Sequence, residues 1–111
     1  MPDPDWKVFD LAELIEKKDS IRAPYLEFLR VPALSSGLYR LPAGAKDLQN
    51  PHDEDEVYFV ISGRARLQID GEERQVGPGS ILYVAATSEH SFVEIEEEIT
   101  LLVFFASGGP G

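Results

Sequence analysis

The sequence predicts an all-β antiparallel sandwich or barrel with one short helix near its N-terminus. Short β-like runs follow one another from Ala23 onward and are separated by glycine and proline; they read YLEFLRV, GLYRL, EVYFVIS, ARLQID, ERQV, SILYVA, HSFVEI and ITLLVFF. Eight runs at such close spacing are typical of antiparallel β-proteins in which neighbouring runs pair. Residues 10–18, DLAELIEKK, are the stretch with helical periodicity.

The predicted helix covers residues 10–18 and has a recognisable start. Asp10 is placed to act as the N-cap, and Glu13 follows three residues later as its capping-box partner. Helical spacing puts three apolar side chains on one face: Leu11, Leu14 and Ile15. We expect this face to pack against the β-structure or to form a dimer contact.

Two dipeptides predict tight hairpins between consecutive strands. Ser62-Gly63 separates VYFVI from RARLQI, and Asp70-Gly71 separates that run from EERQV. Between these turns the side chains alternate, which predicts a core face made of three residues: Ala65, Leu67 and Ile69.

Two of the predicted strands, EVYFVI and ITLLVFF, are apolar on both faces. A strand of this kind needs a second cover, which the N-terminal helix or another copy of the chain can provide. We therefore predict a homodimer.

Composition narrows the class of function. Twenty acidic residues against ten basic ones give a formal net charge of −10, which disfavours nucleic acids and anionic membrane surfaces as partners. The chain has no cysteine, so any metal must be held by His, Asp or Glu. No run approaches the roughly 18 apolar residues of a membrane span, and a cytoplasmic location is the expectation.

A chain of 111 residues is expected to form a single domain. We predict an N-terminal extension with the short helix over residues 1–22 and a barrel over residues 23–106. Residues 107–111, SGGPG, carry no packing side chains and are predicted to form a flexible tail.

The two histidines of the chain fall at positions that suggest a common site. Alternation along extended backbone puts Asn50 and His52 on one side, and after a corner Glu56 and Tyr58 point to that same side. His90 opens a later strand. If these strands are neighbours in one barrel, two imidazoles and one carboxylate converge, and that set suits Fe(II), Mn(II), Ni(II) or Zn(II).

At these residues the chain resembles a small single-domain cupin. His52, Glu56 and Gly63 match the second histidine, the glutamate and the closing glycine of the first cupin motif. Gly79 and His90 match the opening glycine and the histidine of the second motif. The resemblance covers about residues 37 to 105 and implies a double-stranded β-helix, or jelly-roll barrel.

The chain also departs from the cupin pattern. Asn50 stands where the first motif has its first histidine, Ala85 and Thr87 replace the proline and glycine of the second motif, and Glu94 replaces its final asparagine. An amide offers a metal only a neutral oxygen, so Asn50 is a weaker candidate ligand than a histidine.

The resemblance implies one divalent transition metal bound by His52, Glu56 and His90, with Asn50 or water completing the shell. Such a centre binds or transforms a small anionic or chelating molecule, and the resemblance implies oxygenase, isomerase, epimerase or lyase chemistry without choosing among them. Two alternatives stay open: a non-catalytic binding or sensor protein, and a metal-free barrel that serves only as a dimerisation scaffold.

Four aromatic residues are candidates for lining a substrate cavity: Tyr39, Tyr58, Phe92 and Phe104. Aromatic residues at strand spacing are more often ordinary core. His52 among its acidic neighbours also fits an exposed residue, and Asn50 fits a turn. Glu56 is predicted to face inward, where a metal, Arg40 or a protonated histidine must compensate its charge.

Overall fold

The computed structural model describes residues 5–45, 54–86 and 88–106. One helix and six strands follow in chain order: α1 (Leu11–Asp19), β1 (Tyr25–Val31), β2 (Leu34–Leu41), β3 (Glu56–Ile69), β4 (Glu72–Val76), β5 (Ile81–Val84) and β6 (His90–Ala106). All strand pairs are antiparallel, in the order β1-β2-β6-β3-β4, and β5 pairs with the first part of β3. The prediction of an all-β jelly-roll barrel with one N-terminal helix is confirmed.

The two long strands, β3 and β6, form the ladder on which the barrel is built. Glu56 at the start of β3 pairs with Phe105 near the end of β6, and Ile69 at the end of β3 pairs with His90 at the start of β6. A flat ladder of this length would span about 40 Å at ~3.3 Å per residue. The Nε2 atom of His90 nevertheless lies 3.3 Å from Oε1 of Glu56. The ladder therefore curls until its two ends meet.

The curl depends on irregular pairing near Gly63. Residues 56–69 form one continuous strand, so the predicted hairpin at Ser62-Gly63 is wrong. Gly63 instead has a φ of 91°, and the β3–β6 register shifts on either side of it. Such bulges bend a strand and increase its twist. The two predicted strands HSFVEI and ITLLVFF are likewise parts of one continuous strand, β6.

The second predicted turn, Asp70-Gly71, is confirmed. Asp70 and Gly71 have φ values of 48° and 86°, the two positive angles of a tight hairpin of the primed type, and they join β3 to β4. The predicted core face beyond Gly63 is also present, because Ala65 and Leu67 are fully buried and Ile69 packs against the core.

Helix α1 covers the outer face of β1 and β2. Its N-cap is Asp10, whose Oδ1 accepts a hydrogen bond from the Glu13 amide at 3.1 Å, as predicted. The buried helical residues are Leu14 and Lys18, whereas Leu11 is exposed, so the inward face is rotated from the predicted one. Arg40 of β2 links the helix to the sheet. Its guanidinium pairs with Asp19 at the end of α1 and, at 3.2 Å, with Glu98 of β6.

The outer face of β3, β5 and the end of β6 is apolar and exposed. Val57 of β3 pairs with Tyr83 of β5 on one side and with Phe104 of β6 on the other. Phe59 of β3 pairs with Ile81 of β5. Ile81 and Tyr83 are 70% and 63% exposed. We call these five residues the apolar sheet face.

Among the described residues, no helix is long and apolar enough to cross a membrane.

Candidate metal centre

Glu56 is a buried carboxylate at the start of β3. Only 2% of the residue is exposed, because β3 points it inward beside Tyr58 and Val60. Its Oε2 atom has no hydrogen-bond partner among the described residues. Arg40 does not compensate it, since that guanidinium pairs with Asp19 and Glu98. A buried carboxylate in this state is costly, because both oxygens have lost their water.

Among the described residues, His90 is the basic group that lies beside Glu56, and its tautomer follows from its contacts. The Nδ1 atom lies 3.2 Å from the Ser88 carbonyl oxygen, which can only accept, so Nδ1 carries a proton and donates it. In the neutral imidazole Nε2 is then an acceptor. Nε2 lies 3.0 Å from the Tyr58 hydroxyl and 3.3 Å from Glu56 Oε1.

The Tyr58 hydroxyl can donate a hydrogen bond to Nε2, but Nε2 and Oε1 of Glu56 are both acceptors and lie 3.3 Å apart, an approach that a positive charge between them would relieve. A second proton on the imidazole is one solution. A metal ion is the other, because ligand atoms held at about 2.1 Å from one divalent ion lie roughly 3.0–3.4 Å apart when their angle is between square and tetrahedral. The observed 3.3 Å fits that range, and Oε2 of Glu56 supplies a further open lone pair. The residues present therefore fit a divalent cation.

The other predicted ligands, Asn50 and His52, lie outside the described residues. Within the part of the chain that is described, no group of three or more His, Cys, Asp or Glu side chains could hold a metal. The structure thus brings together two of the three predicted principal ligands, Glu56 and His90.

The four predicted cavity aromatics occupy different places. Tyr58 lies at the centre beside His90, and Phe92 packs edge-on against Tyr58 with ring centroids 5.8 Å apart. Tyr39 packs against the core from β2. Phe104 belongs to the apolar sheet face and is 41% exposed, so it points away from the interior.

Sequence reasoning missed two inward aromatic residues, Tyr25 and Phe105. With Tyr39 they line a pocket of about 270 Å³, together with Glu27, Arg30, Ser35 and Glu54. We call it the aromatic pocket. The alternation of β6 carries the signal for Phe105, because Leu101, Val103 and Phe105 share a face, but a run that is apolar on both sides does not reveal which face is inside.

Tyr25 is held over Gly37, where a Cβ atom would lie 2.1 Å from its ring and hydroxyl. Burial raises the pKa of Tyr25 above the ordinary range, and the charge of Glu27 raises it further. As the pH rises, the unfolded chain therefore loses this proton before the folded protein does. The Tyr25 contribution to stability is complete below about pH 10 and falls above it.

We therefore expect Tyr25→Phe to change the shape of the alkaline stability profile. The measurement is urea unfolding from pH 8 to pH 11. The free-energy difference between wild type and variant should be constant up to about pH 10 and then shift against the wild type, by less than the ~1.4 kcal/mol per pH unit of a fully buried group. A difference that stays constant to pH 11 would contradict the assignment.

A curled antiparallel ladder whose ends meet at a buried carboxylate and histidine defines a jelly-roll barrel with an internal polar centre. The family model of the cupin domain matches residues 37–106. An uncharacterized protein of Streptomyces coelicolor is 46% identical over 100 residues, which cover 90% of this chain and 95% of the relative. The chain belongs to the cupin family.

Solved structures share the fold. A cupin protein from Bacteroides fragilis superposes with a TM-score of 0.71 at 18% identity, and the match covers 98% of this chain and 90% of that one. The DMSP lyase DddQ from Ruegeria pomeroyi superposes with a TM-score of 0.66 at 22% identity. That match covers 73% of this chain but 42% of the lyase, so the chain spans less than half of the larger protein.

Proposed function

We propose that the protein binds one divalent transition metal, Fe, Mn, Ni or Zn, through Glu56, His90 and His52. Asn50 or water completes the shell. The observation that supports this most directly is the pair formed by buried Glu56 and His90, where Nε2 and Oε1 converge at 3.3 Å while Oε2 has no hydrogen-bond partner among the described residues. A divalent ion bound at this point would be held by His90 and the Glu56 carboxylate together.

The centre is suited to a small molecule with an anionic or chelating group. One carboxylate against a divalent ion leaves a net positive charge, which attracts oxygen anions and, when the metal is bound, supplies Lewis-acid chemistry. Tyr58 places its hydroxyl 3.0 Å from His90 Nε2, so it can hydrogen-bond a ligand held at the same point. Oxygenase, isomerase and lyase reactions all fit such a centre, and so does reversible binding by a sensor.

Metal content tests the proposal. Plasma mass spectrometry is carried out on tag-free protein purified without chelator, for wild type, His52→Ala, His90→Ala and the control Glu94→Ala, whose side chain is exposed on β6. We expect near-stoichiometric metal in wild type and control, and loss of at least tenfold in both histidine variants. Equal trace metal in all four proteins after incubation with Fe(II), Mn(II), Ni(II) and Zn(II) would overturn it.

Dimerisation is a second candidate function, supported by the apolar sheet face. Its five side chains are large, uncharged and contiguous on three paired strands, in a chain whose net charge is −10. Exposed apolar patches of this kind mark protein interfaces. A second copy of the same chain can cover the patch without any other protein, as in most soluble oligomers. We propose that two copies meet through this face.

Substitution of Tyr83 should separate the copies. We expect wild type to scatter light as a dimer of the 12.3 kDa chain, and Tyr83→Glu to raise the dimer dissociation constant by roughly a hundredfold, because each interface would bury two unpaired carboxylates. Tyr83→Phe is the control and should remain dimeric. A wild-type protein that is monomeric at 100 µM would exclude this interface.

A further inference from the structure

The aromatic pocket lies next to the proposed metal centre on the inner face of the sheet. Glu56 pairs with Phe105 on β6, Phe105 pairs with Ser35 on β2, and Ser35 pairs with Arg30 on β1. These four paired residues run from the proposed metal centre across β3, β6, β2 and β1 into the aromatic pocket. Because paired strands are about 4.8 Å apart, the pocket begins one strand from Glu56 and extends roughly 5–10 Å beyond it.

Three aromatic rings at different angles form the apolar part of the pocket. The Tyr25 and Phe105 ring centroids are 6.5 Å apart with planes at 83°, and the Tyr25 and Tyr39 centroids are 4.7 Å apart with planes at 43°. All three rings line the same small volume and bring aromatic π-density to it. Such an arrangement favours a compact organic cation.

The charged lining of the pocket favours the same class of ligand. Arg30 is paired with Glu27 at 2.7 Å, so these two charges largely cancel, and Glu54 leaves the lining with a net negative charge. The raised pKa of Tyr25 agrees: burial is its largest cause, and among the charges nearby Glu27 raises the pKa more than Arg30 lowers it. An anionic group would be disfavoured here, whereas the proposed metal centre attracts one.

We propose that the aromatic pocket binds the organic ammonium group of a small zwitterion whose carboxylate reaches the Glu56–His90 centre. This proposal rests on the proposed function for the carboxylate end alone. The ammonium end is held by the rings of Tyr25, Tyr39 and Phe105 and by the charge of Glu54. The ligand class is therefore a short amino acid or betaine with about three to six bonds between its two charges.

Binding of the ammonium group is tested without metal. Choline and 3,3-dimethyl-1-butanol have the same shape but differ in charge, and their dissociation constants are measured by NMR titration of the metal-free protein. We expect choline to bind about tenfold more tightly than the neutral analogue. Tyr39→Leu should weaken choline binding about tenfold and Glu54→Gln about threefold, while the control Glu73→Gln on β4 should leave it unchanged. Equal binding of the two ligands, or no effect of Tyr39→Leu, would overturn the pocket assignment.

The link to the metal centre is tested with 4-(trimethylammonio)butyrate. We expect this zwitterion to bind zinc-loaded wild type at least tenfold more tightly than metal-free protein, and His90→Ala to lose that gain while it still binds choline. Choline binding without any gain from zinc, in protein that holds zinc, would overturn the link and leave the pocket. Protein that takes up none of Fe(II), Mn(II), Ni(II) and Zn(II) would refute the metal centre, and the choline experiment would still decide the pocket.

Discussion

Gly63→Ala is expected to destabilise the barrel by more than about 3 kcal/mol, a large share of the stability of a small domain. Two costs add at this position. The backbone φ of 91° is strained for any residue with a Cβ atom. That Cβ would also lie 2.0 Å from the carbonyl oxygen of Glu98 and 2.6 Å from Cα of Ile99, and backbone atoms within the β3–β6 ladder cannot move aside independently. Urea unfolding followed by circular dichroism measures the loss.

Gly79 offers a matched control. Its φ is 89°, but an added Cβ would meet no atom within 4 Å. Gly79→Ala should therefore cost only the backbone term, about 1 kcal/mol. If the two variants lost the same stability, the close approach of β3 to β6 at Gly63 would not be the reason for the glycine.

Glu56→Gln should abolish stabilisation by metal. At a free metal concentration 100 times the dissociation constant, a single site adds about 2.7 kcal/mol to the stability of the wild type. For a chain of this size that corresponds to a rise in Tm of roughly 10 °C. The amide keeps the shape of the side chain but removes the charge, so the rise should fall below about 2 °C. Differential scanning calorimetry with and without Zn(II) or Mn(II) measures it.

Glu94→Gln serves as the control, because that carboxylate is exposed beside Arg66 on the outside of β6. Its Tm rise should equal that of the wild type. An equal rise in Glu56→Gln would show that the metal binds elsewhere, and the proposed centre would be wrong.

The fold was largely predictable because its local signals agree. Asp70-Gly71 makes the expected hairpin, Asp10 caps the helix, and alternation buries Ala65 and Leu67. Ser62-Gly63 was misread because a glycine with positive φ serves a tight turn and a bulge inside a long strand equally well. Which of the two forms depends on whether β6 continues alongside, and no short window of sequence contains that information.

The candidate site was predictable in part for the same reason. The inward direction of Glu56 follows from alternation along β3, and the spacing of the cupin motifs relates Glu56 to His90. The inward direction of Phe105 rather than Phe104 could not be read from ITLLVFF, where every position is apolar except Thr100. The inward position of the Tyr25 ring could not be predicted because it depends on Gly37, a residue in another strand.

The meeting of the two ends of the β3–β6 ladder also has a kinetic consequence. Tyr58 and His90 are 32 positions apart in the chain, and they touch only when the barrel has closed. We expect contacts of this kind to form late in folding, because the intervening chain must first be ordered. An ion bound where the two ends of the ladder meet would therefore slow unfolding and lengthen the lifetime of the folded barrel. The rate of folding would stay almost unchanged.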